Sequence, residues 1–130
     1  MKTKLDYDII AKFLSPSVKE RILYELSSPK KRLKAFERFA HNLDTVIKDE
    51  CIFYKDSSIS DTVKAEIKNT ASECTVLSLE YQQGENMSID EAFDYLVYEC
   101  FFAMIITKNW LIIKPERECG KSLFYVLRTK

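Results

Sequence analysis

Three features of the sequence predict an α+β fold in which N-terminal helices pack on a mixed sheet of about five strands. Apolar residues recur at helical spacing through residue 47, short apolar runs replace that spacing after residue 50, and residues 100–106 and 110–113 flank Lys108 and Asn109 as a hairpin would. The expected sheet ends in that C-terminal antiparallel hairpin and one further strand. With 130 residues and 46% hydrophobic content, the chain is expected to form a single domain, 1–130, with a helical part over 1–50 and the sheet-bearing part over 51–130.

The elements follow in order. Ile9, Ile10, Phe13 and Leu14 mark a short amphipathic helix over 6–14 that stops near Ser15 and Pro16. Ser17 and Glu20 have the spacing of a capping box for a second helix, whose buried face is Val18, Ile22, Leu23 and Leu26. Pro29 suits the first turn of a third helix, where its missing N–H costs nothing. Leu33, Phe36, Phe39, Ala40, Leu43 and Ile47 then form one stripe. Residues 51–54 read as a strand. Val63, Ile67 and Ala71 mark a helix, and the alternation of Thr75, Leu77, Leu79 and Tyr81 marks a second strand. A strand, helix, strand order predicts two strands running parallel in one sheet. Residues 82–86, with Gly84, read as a loop. Ser88 and Glu91 then cap a helix that buries Ile89, Ala92, Phe93, Leu96, Val97 and Cys100. Residues 101–107 and 110–114 form the hairpin, residues 115–121 a polar loop, and residues 122–128 the last strand.

Chemical motifs are sparse. One histidine and two glycines leave no phosphate-cradling loop, nucleophile elbow or zinc-hydrolase signature, so the chain reads as a non-enzyme without a cofactor. An enzyme whose site converges only in space stays open as a further reading. Cys51, Cys74, Cys100 and Cys119 stand 23, 26 and 19 positions apart, lacking the close pairs of zinc and redox sites. With no secretory signal, they are expected to be reduced and buried in a cytoplasmic protein. No apolar stretch suffices for a bilayer span.

Charge is segregated along the chain. Residues 51–107 hold ten acids against three lysines, whereas residues 1–50 hold eleven bases against eight acids and residues 108–130 hold six against two. The blocks run +3, −7 and +4 and cancel. On the helix after Ser88, the side opposite Phe93 and Cys100 presents Glu91, Asp94, Tyr95 and Tyr98. Glu80, Glu85 and Asp90 extend this acidic surface if the preceding loop folds beside it. Tyrosine offers large contact area with few rotatable bonds, and carboxylates steer a basic partner, so these seven residues are the expected partner-binding set. The plainer reading is that the tyrosines cover a sheet edge and the acids solubilise the surface. A second surface, Lys30, Lys31, Lys34, Arg38 and His41 on the third helix, is the alternative nucleic-acid face. Glu37 interrupts it, and the neutral chain supplies no general attraction to phosphate, so nucleic acid is the second choice.

In size, mixed architecture and charge, the chain resembles the immunity proteins of bacterial toxin systems, including those of contact-dependent growth inhibition. The resemblance spans the chain without a motif and assigns no residue. It implies an inhibitor that neutralises a basic, nuclease-like toxin domain by occluding its surface. Many such inhibitors are acidic overall, whereas this chain is neutral. An exposed sheet edge can pair with a partner or a second copy, so the sequence leaves the oligomeric state open.

Overall fold

In the computed structural model, which describes residues 7–98, 102–115 and 123–129, a six-stranded sheet lies between two helical layers. The order along the chain is α1 (Tyr7–Ala11), α2 (Lys19–Ser27), α3 (Arg32–His41), α4 (Leu43–Val46), a 3-10 turn (Asp49–Cys51), β1 (Ile52–Asp56), α5 (Asp61–Thr70), β2 (Glu73–Ser78), β3 (Glu85–Ser88), α6 (Ile89–Tyr98), β4 (Ala103–Thr107), β5 (Trp110–Lys114) and β6 (Phe124–Arg128). The strand order is β1-β6-β5-β4-β2-β3, and every adjacent pair is antiparallel. The α+β architecture with N-terminal helices against the sheet and a terminal hairpin is therefore established. β1 and β2 do run in the same direction, as expected of strands joined through α5, but three strands separate them.

Side-chain alternation divides the core. Leu77, Met104, Ile106, Leu111, Ile113, Tyr125 and Leu127 face α1 to α4. Val76, Ala103, Ile105, Trp110, Ile112, Phe124 and Val126 face α5 and α6. This explains the unbroken apolar runs of β4 and β5, since strands covered on both sides need no polar face. The hairpin turn at Lys108 and Asn109 closes on the Thr107–Trp110 pair, as its spacing predicts.

Several boundaries differ from expectation. The third helix breaks at Asn42 (φ −128°, ψ 35°), because residues 46–48 bond to another segment: Ser15 N–H donates to Val46 O, Lys48 N–H to Phe13 O, and Leu14 bridges Ile47. Pro29 does not take the first helical position: α3 begins at Arg32, and Pro29 lies in the turn before it, where the Lys31 and Arg32 N–H groups both reach Ser28 O. The Ser17–Glu20 box does not form. Val18 takes the cap position without a side-chain bond, and Ser17 Oγ lies 3.3 Å from Ser15 Oγ. β3 occupies residues read as the end of a loop and the start of a helix. Its polar sequence has no strand signature, and it is recruited by the turn at Gly84, whose φ of 88° favours glycine. The expectations for Asp6, Cys100, Phe101, Cys119 and the start of the last strand at Ser122 lie outside the described residues. Among the described residues, no helix is long and apolar enough to cross a membrane.

Candidate functional site

Helix α6 carries most of the expected partner-binding set, and its two ends are built differently. At its start, Ser88 Oγ accepts the Glu91 N–H at 3.2 Å and donates to the Glu91 carboxylate at 3.0 Å. Beside it, Asp90 pairs with Lys68 of α5. Both acids are exposed, yet both are engaged in starting or bracing the helix. Tyr95 departs from the expectation of a freely exposed face. It is half-buried, its hydroxyl lies 2.7 Å from Ser78 Oγ, and its ring packs 5.3 Å from that of Tyr81. The cause is the turn after β2, where Ser78 Oγ also accepts the Tyr81 N–H at 3.0 Å and leaves its hydroxyl to be completed by tyrosine. Asp94 is exposed, and Tyr98 is 82% exposed.

The β2–β3 turn does fold beside α6, as the extension of the acidic surface required. Glu80 and Glu85 are both exposed near Tyr81. Desolvation, followed by the charges of Glu80 and Glu85, raises the Tyr81 phenol pKa above its ordinary value. Asp90 lies elsewhere, next to the Glu73–Ser88 end of the hairpin. The structure thus gathers Glu80, Glu85, Tyr81 and Tyr95, and separates Asp90 from them along β2.

Strand register locates this turn. Ser78 pairs with Ala103, Ala103 with Lys114, and Asp56 with Phe124, which together mark one end of the sheet. At that end Lys114, fully buried, donates from Nζ to Leu96 O at 2.8 Å and to Val97 O at 3.4 Å. A cation at a helix C-terminus satisfies carbonyls that lack helical partners and complements the helix dipole. It fixes the last turn of α6, from which Val97 (51% exposed) and Tyr98 project. Leu79, Leu33 and Leu123 also have large exposed apolar surfaces and belong to this end. The sequence reading assigned Leu33 and Val97 to buried stripes. They sit at the margins of those stripes, where the helix extends past what it packs against. Helical spacing identifies a stripe but not where the partner layer ends.

A groove of about 310 Å³ lies between α3 and the residue after β2, lined by Leu33, Phe36, Glu37, Ala40, His41, Leu79 and Phe102. Its floor is aromatic, with the Phe36 and Phe102 ring centroids 5.1 Å apart. A second groove of about 300 Å³ on the other face of the sheet is lined by Ser57, Ser58, Ile59, Lys64, Phe93, Val97 and Phe124.

The basic stripe of α3 is partly committed to packing. Arg38 forms a two-pronged ion pair with buried Glu25 of α2 at 2.9 and 3.1 Å, which raises the arginine pKa further. Lys31 Nζ lies 5.3 Å from the centre of the Tyr24 ring. Both contacts face α2, and Lys34 shares that side by helical spacing. Lys30, Lys34 and His41 are exposed, with His41 at the groove rather than beside Arg38.

Cys51 and Cys74 are free and buried, as read from the sequence. Desolvation, with the charges of Glu73 and Glu91, pushes the Cys74 thiol up to about 12, so it is not a thiolate at neutral pH. Among the described residues, no cluster of His, Cys, Asp or Glu is arranged to hold a metal. No family model, curated protein or solved structure matches the chain.

Proposed function

We propose that this chain is a binding protein that occludes a basic protein partner with the end of the sheet where Asp94, Tyr98 and Glu80 are exposed. The observation carrying this reading is the pair Val97 and Tyr98, 51% and 82% exposed at the last turn of a helix that buried Lys114 holds in place. Contiguous exposed apolar surface on a rigid element is a hallmark of interaction sites. The neighbouring carboxylates select a cationic partner and speed encounter.

In its specific form the reading is a cytoplasmic immunity protein that neutralises a nuclease-like toxin by covering its basic cleft. Size, α+β architecture and charge segregation support that form. The nucleic-acid alternative draws less support, because Arg38 and Lys31 are used to join α2 to α3.

The test is co-expression with a toxic C-terminal domain encoded immediately upstream of this chain. Wild-type protein is expected to restore growth and to co-purify with the domain, whereas Asp94→Lys combined with Tyr98→Ala, folded as judged by circular dichroism, is expected to do neither. Full protection by the double variant would overturn the assignment of the surface. Failure of the wild type to bind that domain would overturn the toxin form.

A further inference from the structure

Resting on the binding-protein reading above, we propose that Tyr81, together with the carboxylates of Glu80 and Glu85, seats one arginine side chain of the basic partner. The turn after β2 fixes this ring in the free protein. Tyr81 N–H donates to Ser78 Oγ at 3.0 Å, and Tyr81 O accepts from the Ser78 and Gly84 N–H groups at 3.3 and 3.1 Å. The ring is half-buried and stands 5.3 Å from that of Tyr95, at 43° to it, while the Tyr95 hydroxyl meets Ser78 Oγ. Strand register brings Glu85 to the same face. It lies opposite Val76, whose side chain packs on the α6 side of the sheet, and directly opposed residues share a face. Glu80 precedes the ring, and the charges of both acids act on the Tyr81 phenol and raise its pKa. Two exposed carboxylates and a fixed aromatic ring thus meet at one place on the surface.

The open charge at this place has one sign. Among the described residues, neither Glu80 nor Glu85 has an ion-pair partner. The cation that does reach the turn, Arg32, is buried and spends its guanidinium on Leu26 O and Gln82 O at 2.8 and 2.9 Å. Elsewhere the chain supplies its rings with its own cations, with Lys31 over Tyr24, Lys64 over Phe93 and Arg128 over Trp110. Among the described residues, none lies over Tyr81.

The combination of ring and acids selects arginine over lysine. A guanidinium is planar and weakly hydrated, so it can stack on the phenol ring while its in-plane N–H groups donate to carboxylates at the ring's margin. A lysine ammonium is a compact, strongly hydrated charge with no face to stack. The seat joins the Tyr98 surface through one rigid element, because Tyr95 lies against Tyr81 and stands three residues before Tyr98 on α6.

NMR titration of the isotope-labelled full chain with the N-acetyl amides of arginine, lysine and citrulline, into the millimolar range, tests this. The arginine amide is expected to shift the Tyr81 ring resonances and the Glu80 and Glu85 carboxylate carbons saturably. The lysine amide should bind several-fold more weakly, and the citrulline amide, close in shape but neutral, should leave them in place. Glu80→Gln combined with Glu85→Gln, both at exposed positions, should abolish the response, and Tyr81→Leu should weaken it by about threefold or more. An equal response to lysine or citrulline, or undiminished arginine binding in either variant, overturns the seat. The co-expression test separates this outcome from the reading beneath it. If the arginine amide does not bind, yet Asp94→Lys with Tyr98→Ala loses the protection that the wild type gives, the seat is overturned and the binding-protein reading stands. If the arginine amide binds as expected while the wild type captures no basic domain, the guanidinium site stands and the partner assigned to it is overturned.

Discussion

The two ends of the sheet bury similar chemistry and treat solvent in opposite ways. At the end marked by Glu73, Thr107, Trp110 and Arg128, polar groups close on one another: Trp110 Nε1 donates to Thr70 Oγ1 at 2.7 Å, Thr107 Oγ1 donates to Glu73 O at 3.4 Å, and the start of α6 is capped by Ser88. The one large exposed ring nearby, Phe53, lies edge-on to Trp110 at 5.3 Å and beneath the Arg128 guanidinium at 5.6 Å. At the other end, polar contacts hold the backbone while Leu33, Leu79, Val97 and Tyr98 remain open. Side chains closed on each other contribute stability, whereas apolar groups held rigidly in water are available to a partner. On the proposed reading, the difference separates residues for folding from residues for binding.

Substitutions can break that comparison, beginning with the closed end. Trp110→Ala removes the largest fully buried side chain and the Thr70 bond, and is expected to cost about 3–5 kcal/mol in urea unfolding. A loss below about 1 kcal/mol would mean that this end is not the anchor of the fold. Lys114→Met removes the cation bonded to the carbonyls of Leu96 and Val97 in α6 and is expected to cost about 2 kcal/mol, since both lose a charged donor. An unchanged or raised stability would show that desolvation of the buried ammonium outweighs its bonds. Tyr95→Phe keeps the ring against Tyr81 and deletes the hydroxyl that meets Ser78, so about 1 kcal/mol is expected. The same variant sharpens the assignment of Tyr95 as a support for the β2–β3 turn, through faster amide exchange at Tyr81 if the turn loosens.

The sequence made the architecture legible where one physical signal dominated. Uninterrupted apolar runs identified β4 and β5, and the Lys108–Asn109 gap identified their turn. Ser88 and Glu91 identified the start of α6 because capping is a local interaction between residues three apart. What failed was set by tertiary pairing. β3 forms because Gly84 returns the chain alongside β2, and the third helix breaks because residues 46–48 bond to residues 13–15. The site was legible in part. Helical arithmetic placed Asp94 and Tyr98 outward, but it had no means of finding that Ser78 would take the Tyr95 hydroxyl, or that Leu79 would face Leu33 across a groove. Both depend on residues far apart in the chain meeting at one end of the sheet.

The central claim is that Tyr98 serves binding and not folding, so the most direct test measures both quantities on Tyr98→Ala. Calorimetric affinity for a basic domain captured by the wild type in the co-expression test is expected to weaken by about tenfold or more, as truncation of an aromatic hot spot does. Unfolding free energy of the same variant is expected to stay within about 0.5 kcal/mol of wild type. Unchanged affinity, or a loss of stability comparable to that of Lys114→Met, would contradict the division of labour between the two ends.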